Sequence, residues 1–277
     1  MTIDDRLTAP SGTFFFSGLS MLVRLPLEQA RRDRERGVAS GTLITGYPGS
    51  PLGGYDLALA RIGPLLEERH IRFLPAGNEE QAATALMGTQ MLDDHPHSTY
   101  RGVNGFWYGK GPGVDRAGDA FKHGNFAGTS RHGAVVVLSG EDHEAKSSTM
   151  PFQEDFAFAS AGIPVLYPSS VAEFRTLGLH AVALSRYSGC WVALKLTAPF
   201  HSTLIRLVGV GRGREGLSGK STGNSRRSCR LAREKRRQAP GMSCLNTTNS
   251  KAYAKRSRRA SGMLRVKPAK ETMAPTG

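Results

Sequence analysis

Asn78, Glu79, Glu80 and Gln81 are the residues whose types and spacing point most directly to chemistry. They follow the short apolar segment 71–74 and precede a run of small residues, so we expect them to begin a helix directly after a β-strand. A carboxyl group at that point lies where an open α/β sheet exposes its ligand crevice. The alternative is a solvated acid in the first helical turn, a position that the helix dipole favours in any protein.

Five segments occur in a fixed order around this helix. They are residues 46–56, 78–80, 107–116, 140–149 and 185–192. Together they closely resemble the N-terminal thiamine-pyrimidine-binding domain of the large, fused indolepyruvate:ferredoxin oxidoreductases, which belong to the 2-oxoacid:ferredoxin oxidoreductase superfamily. The resemblance covers roughly residues 11 to 197. It favours a ligand-binding carboxyl group over a solvated acid.

The resemblance implies that Glu79 is the catalytic carboxyl group, facing N1′ of the thiamine pyrimidine. A hydrogen bond at N1′ favours the 4′-imino tautomer, whose nitrogen takes the proton from C2 of the thiazolium ring. Glu80 is the alternative for the same role, because the two side chains point about 100° apart around the helix. Asn78, Gly49 and Ser50 are the other expected cofactor-binding residues.

The segment 46–51 is expected to form the loop that follows the predicted strand 41–45. Gly49 lets the backbone approach a ligand, and the prolines on either side of it fix the turn. Related oxidoreductases carry Thr or Ser at this place beside the reacting carbon, so Ser50 is a candidate contact to substrate or cofactor. An ordinary turn serine or a helix N-cap is the alternative.

Two further loops supply candidate contacts to substrate or to a neighbouring domain. Segment 109–113 resembles a phosphate loop, but Val114 occupies the position where a dinucleotide fingerprint requires glycine, so we interpret it as a structural loop with Lys110 and Arg116 near the site. In segment 141–148 the candidates are Asp142, His143 and Ser147. No metal site is predicted, because consecutive residues rarely converge on one ion.

Short apolar runs alternate with helical segments between residues 11 and 197. This pattern predicts an α/β fold with an open, mostly parallel sheet flanked by helices, of the type that the resemblance assigns to the thiamine pyrimidine domain. The predicted strands are 41–45, 71–74, 103–107, 134–138, 164–167 and 191–196. The predicted helices are 20–36, one ending near 68, one from 79 to about 93, 115–125 and 171–186.

Composition divides the 277 residues into unequal parts. Residues 1–200 contain 18 Lys/Arg and 20 Asp/Glu, whereas residues 201–277 contain 19 Lys/Arg and three Asp/Glu. We therefore expect a flexible N-terminus (1–10), a thiamine-pyrimidine-binding-like domain (11–200) and a basic, disordered tail (201–277). The abrupt change suggests a shifted reading frame near residue 198. The alternative is that the tail binds nucleic acid non-specifically through its cations.

The remaining sequence features limit the class of protein. No apolar run is long enough to span a membrane, and the N-terminus lacks a secretory pattern, so a cytoplasmic location is expected. Three cysteines without CxxC spacing encode no disulfide framework or iron–sulfur site.

The resemblance implies a truncated part of an enzyme that oxidatively decarboxylates an aryl 2-oxo acid with CoA and ferredoxin. Only the pyrimidine half of thiamine diphosphate is expected to bind here. Mg²⁺, the diphosphate group and the iron–sulfur clusters are expected in other domains or subunits, so the chain is predicted to be inactive alone. A non-catalytic, standalone α/β regulatory domain is the remaining alternative.

Overall fold

The computed structural model describes residues 3–10, 12–92, 95, 97–145, 149–197 and 204–208, with backbone alone for residues 3–5 and 204–208. All of them lie within the unit Met1–Pro240. The described helices are α1 (Ile3–Thr8), α2 (Gly18–Glu35), α3 (Tyr55–Arg61), α4 (Gly63–Glu68), α5 (Glu79–Thr89), α6 (Gly111–Arg116), α7 (Gly118–Ala127), α8 (Asp155–Ala161) and α9 (Val171–Ser188). The described strands are β1 (Thr13–Ser17), β2 (Ser40–Gly46), β3 (Ile71–Phe73), β4 (Gly102–Lys110), β5 (Ala134–Glu141), β6 (Val165–Leu166), β7 (Val192–Thr197) and β8 (Leu204–Val208).

Six strands form one parallel sheet in the order β3-β2-β4-β5-β7-β6. Strand β5 lies inside the sheet and all eight of its residues are buried. Parallel strands covered on both faces contain near-continuous apolar runs, which explains why 134–138 is the clearest strand in the sequence. The predicted α/β fold with a parallel sheet flanked by helices is confirmed.

Helices cover both faces of the sheet, and successive strand residues point to opposite sides. Val136 and Leu138 of β5 belong to the core formed with α2 and α9. Val135 and Val137 belong to the core formed with α5, α7 and α8. In the second core the ring of Phe121 lies edge-on between Trp107 and Trp191, at centroid distances of 5.0 Å and 6.0 Å.

Several boundaries differ from the sequence predictions. The predicted loop at 109–113 instead comprises the end of β4 and the start of α6, and the predicted helix 115–125 is divided between α6 and α7. Helix α5 ends at Thr89, before the predicted end near residue 93. Helix α8 is absent from the predictions because its seven residues are too short for a periodic pattern.

Elements at both ends of the described chain were also absent from the predictions. Residues Ile3–Thr8 form α1, and Leu7 is buried with 4% of its surface exposed. Strand β8 lies beyond the predicted domain boundary at residue 200 and pairs antiparallel with β1. The rest of the predicted basic tail lies outside the described residues.

Candidate functional site

The helix α5 begins where the sequence predicts, and its first residues have distinct roles. Asn78 is the N-cap in extended conformation, and its Oδ1 atom accepts a hydrogen bond from the backbone N–H of Gln81 at 2.8 Å. The side chain of Gln81 in turn accepts from the backbone N–H of Gly77 at 2.8 Å. This exchange satisfies two backbone donors at the helix start, so the Asn78 side chain fixes the helix start in addition to its predicted cofactor role.

Glu79 and Glu80 differ sharply in burial. Glu79 is buried, with 7% of its surface exposed, whereas Glu80 is exposed. The indole N–H of Trp107 in β4 donates to the backbone carbonyl of Glu79 at 3.0 Å, which anchors the first turn of α5 to the sheet. Of the two adjacent acids, only Glu79 therefore presents a carboxyl group in a confined environment.

The carboxyl group of Glu79 forms one ion pair within the described part of the chain. Arg116 Nε lies 4.0 Å from Glu79 Oε2, and 63% of the Arg116 side chain is exposed. No group in that part of the chain donates a hydrogen bond to either carboxyl oxygen. Because a buried carboxyl group normally acquires hydrogen-bond partners, this one retains acceptor capacity for a ligand.

Gly113 of α6 forms the wall beside this carboxyl group. A Cβ atom at position 113 would lie 2.6 Å from Glu79 Cγ and 2.7 Å from Glu79 Oε1, closer than any real side chain could approach. Gly113 is not among the site residues predicted from the sequence. The sequence signal for this contact is the glycine–proline–glycine segment 111–113, because glycine lets a neighbouring side chain approach the backbone closely.

The loop after β2 lies beside the end of β4. Lys110, the last residue of β4, packs its aliphatic chain on Gly49, where a Cβ atom would lie 3.0 Å from Lys110 Cδ. Helix α3 has Gly54 as its N-cap, so Ser50 does not cap that helix. Neither the Ser50 hydroxyl nor the Lys110 amine pairs with another described residue, and both are partly exposed.

The loop after β5 brings its predicted contacts to the same edge of the sheet only in part. Pro51 packs against Gly140 so closely that a Cβ atom there would lie 2.7 Å from Pro51 Cδ. Asp142 is buried with 5% exposure, and its backbone carbonyl accepts from the N–H of Ala145 at 3.2 Å. His143 is exposed. Ser147, also predicted as a contact, lies outside the described residues.

A buried group of charged residues at the ends of β5 and β7 was not predicted. Lys195 Nζ lies 2.7 Å from Glu141 Oε2 and 2.9 Å from Asp155 Oδ2. Next to these three residues Glu154 is buried with 1% exposure, and it is hydrogen-bonded to Ser139 Oγ. This group is not predictable from the sequence, because its members are separated by up to 56 residues. The register of β5 and β7 sets Ser139 opposite Lys195, and the start of α8 brings Glu154 and Asp155 to them.

Neither a metal-ligand cluster nor a membrane-spanning helix occurs among the residues that the structure describes. No group of three or more His, Cys, Asp or Glu residues there is arranged to hold a metal ion. No helix in the same ranges is long and apolar enough to cross a membrane.

Comparison with known proteins identifies the fold. No family model matches the sequence, and no curated protein matches it either. One solved structure that matches is the 2-oxoglutarate:ferredoxin oxidoreductase from Magnetococcus marinus with 2-oxoglutarate, coenzyme A and succinyl-CoA bound, at a TM-score of 0.54 and 12% identity. The match covers 94% of this chain and 46% of that chain, so the chain spans about half of the solved structure. At this identity the likeness is one of fold.

Proposed function

We propose that this chain is the pyrimidine-binding part of a thiamine diphosphate-dependent 2-oxoacid:ferredoxin oxidoreductase of the indolepyruvate type. The observation that carries the proposal is the carboxyl group of Glu79. It is buried at the end of the sheet where ligands bind in open α/β folds, and it lacks a hydrogen-bond donor among the described residues. The shared fold of the 2-oxoglutarate:ferredoxin oxidoreductase supports the same assignment.

The residues around Glu79 fit a flat, nitrogen-containing ring. Gly113 packs directly on the Glu79 side chain, where any larger residue would displace the carboxyl group, and Trp107 fixes the backbone of Glu79. When bound, thiamine diphosphate supplies a carbon nucleophile that adds to the keto group of a 2-oxo acid. Glu79 would hold the ring through a hydrogen bond between its carboxyl group and the ring nitrogen N1′. The low exposure of Glu79 would strengthen that hydrogen bond, because the surrounding dielectric is lower than that of water.

The other predicted contacts are proposed to lie around the cofactor without sharing the role of Glu79. Gly49 and Ser50 line the loop after β2, where the Ser50 hydroxyl is available to the substrate or the cofactor. Lys110 provides a positive charge next to that loop, suited to an anionic group. Asp142 and His143 belong to the turn after β5, and they are proposed to face the cofactor or a neighbouring domain.

The complete reaction requires groups that other domains or subunits are proposed to supply. These are Mg²⁺ with the diphosphate-binding residues, and the iron–sulfur clusters that pass electrons to ferredoxin. The solved relative of this fold has 2-oxoglutarate and coenzyme A bound, which supports a 2-oxo acid and CoA as the substrate pair. An aryl 2-oxo acid is the proposed substrate of this chain.

A binding experiment with matched variants tests the proposal. Saturation-transfer NMR on the full chain with thiamine diphosphate and Mg²⁺ is expected to show contacts at the pyrimidine protons. Glu79→Ala should weaken binding roughly tenfold or more, since a hydrogen bond to a charged group contributes about 1.5–3 kcal/mol. Glu80→Ala, which removes the exposed neighbour, should leave binding unchanged. Equal binding by the Glu79→Ala and wild-type chains would contradict the proposal.

A further inference from the structure

Glu154 is a buried carboxyl group that the proposed chemistry does not use. It is the N-cap residue of α8 and 1% of its surface is exposed. Its Oε2 atom is hydrogen-bonded to Ser139 Oγ of β5. Its Oε1 atom is buried and has no hydrogen-bond partner among the described residues. An ionised Glu154 would therefore leave one charged oxygen buried without compensation.

The charged groups around Glu154 do not supply that compensation. Glu141 of β5 accepts from the backbone N–H of Glu154 at 3.4 Å, which brings a second carboxylate close to it. Lys195 of β7 is the nearby cation, but its amine is held by Glu141 at 2.7 Å and by Asp155 of α8 at 2.9 Å. One lysine thus faces three carboxyl groups, an arrangement that favours a proton on one of them.

The pKa of Glu154 agrees with this geometry. Burial raises the pKa of Glu154 to about 7; the hydrogen bond from Ser139 and the charge of Lys195 lower it, while the charges of Glu141 and Asp155 raise it further. Glu154 consequently changes charge in the neutral pH range, far above the range of an ordinary glutamate.

The segment that precedes Glu154 packs on α6, the helix that contacts Glu79. Phe152, two residues earlier, packs on Gly111, where a Cβ atom would lie 2.6 Å from Phe152 Cβ. Gly111 is the first residue of α6, and Gly113 of the same helix contacts Glu79. A displacement of segment 151–154 would uncover α6 on the side away from Glu79.

We propose that Glu154 is a proton-operated latch. In its neutral form the carboxyl group stays buried beside Ser139 and holds segment 151–154 on Gly111. In its ionised form it moves towards water and loosens that segment from α6. The latch concerns the packing of α6, and it would operate whether or not the adjacent site binds thiamine diphosphate.

Hydrogen exchange of the full chain tests the latch. Amide exchange in the segment 114–121, where the N–H groups of Ala117 and Phe121 donate to the carbonyls of Gly113 and Ala117, is measured by mass spectrometry at pH 5.5 and pH 8.0, and each rate is corrected for intrinsic exchange. The wild-type segment is expected to lose protection about tenfold or more between the two values. Glu154→Gln, which has the shape of the neutral form, should keep the protection of pH 5.5 at both values.

A matched control variant and two possible results of the exchange experiment test whether Glu154 is the latch. Glu67→Gln changes a carboxylate with 71% of its side chain exposed, and it should behave as the wild type does. Equal wild-type protection at both pH values would overturn the latch without reference to any variant. The latch would also be overturned if Glu154→Gln lost protection with rising pH as the wild type does, because histidines or other groups would then be responsible.

Discussion

Gly113 and Glu79 are in direct contact, so that a Cβ atom at position 113 would lie 2.6 Å from Glu79 Cγ. The two residues belong to different helices, α6 and α5, which follow different strands of the sheet. Only a hydrogen atom fits between them. The identity of residue 113 therefore decides where the carboxyl group of Glu79 points, and the position of that group depends on the packing of both helices.

Gly113→Ala should disturb the site more than the fold. The added methyl group forces Glu79 to another rotamer, at a cost of about 1–3 kcal/mol for an overpacked contact. Thiamine diphosphate binding is expected to fall at least about tenfold, because the carboxyl group is displaced by roughly 1 Å. Titration calorimetry and urea unfolding measure the two effects. Gly88→Ala is the control, since nothing lies within 4 Å of a Cβ atom there; an equal loss of binding in both variants would argue against the contact.

Asp33→Asn should destabilise the fold strongly. Two nitrogens of Arg186 donate to the Asp33 carboxylate at 2.7 Å and 2.6 Å, and Ser40 Oγ donates at 2.7 Å. Removing the charge leaves Arg186 without its buried counter-ion, which costs about 3–5 kcal/mol. Urea unfolding at pH 7 measures the loss. Asp119→Asn, at a side chain with 82% exposure, should change the free energy of unfolding little.

The same aspartate gives a pH dependence whose direction is fixed. Burial raises the pKa of Asp33, but the hydrogen bonds and charge of Arg186, with Ser40 and Asn104, outweigh burial and hold the pKa below its usual value of 3.8. A lowered pKa in the folded state contributes stability above pH 3.8, and this contribution disappears as pH falls through the folded-state pKa. Acid unfolding of the wild type below pH 4 should therefore be steeper than that of Asp33→Asn.

Lys195→Met should destabilise the fold, because it removes the cation that neighbours the carboxyl groups at the ends of β5 and β7. Methionine matches the lysine stem but leaves Glu141, with 5% exposure, without a cation. Loss of one partner of a buried pair costs about 3–5 kcal/mol. The pKa of Glu154 should rise further above 7, since Lys195 lowers it in the wild type. Urea unfolding at pH 7.5 tests the first effect and carboxyl NMR titration the second, with exposed Lys122→Met as control. Unchanged stability would show that Lys195 is dispensable to the pair.

The sequence predicts the sheet best where a strand carries an uninterrupted apolar run, as residues 134–138 of β5 do. It predicts the start of α5 because Asn78 and the acids after it satisfy the requirements of a helix start. It leaves Glu79 and Glu80 as alternatives, since burial depends on Trp107 and Gly113 from other elements. The group of Ser139, Glu154 and Lys195 is not predictable from spacing, because it depends on the pairing of β5 with β7 and on where α8 begins.

Strands β1 and β8 pair over residues Thr13–Ser17 and Leu204–Val208, almost 200 positions apart in the chain. During synthesis at about 5–20 residues per second, β1 remains unpaired for roughly ten seconds or longer before β8 leaves the ribosome. Phe14 and Phe16 of β1 are buried in the finished fold, while Phe15 is 60% exposed. The β1 edge is therefore a segment that a nascent chain has to protect from premature association until residue 208 is available.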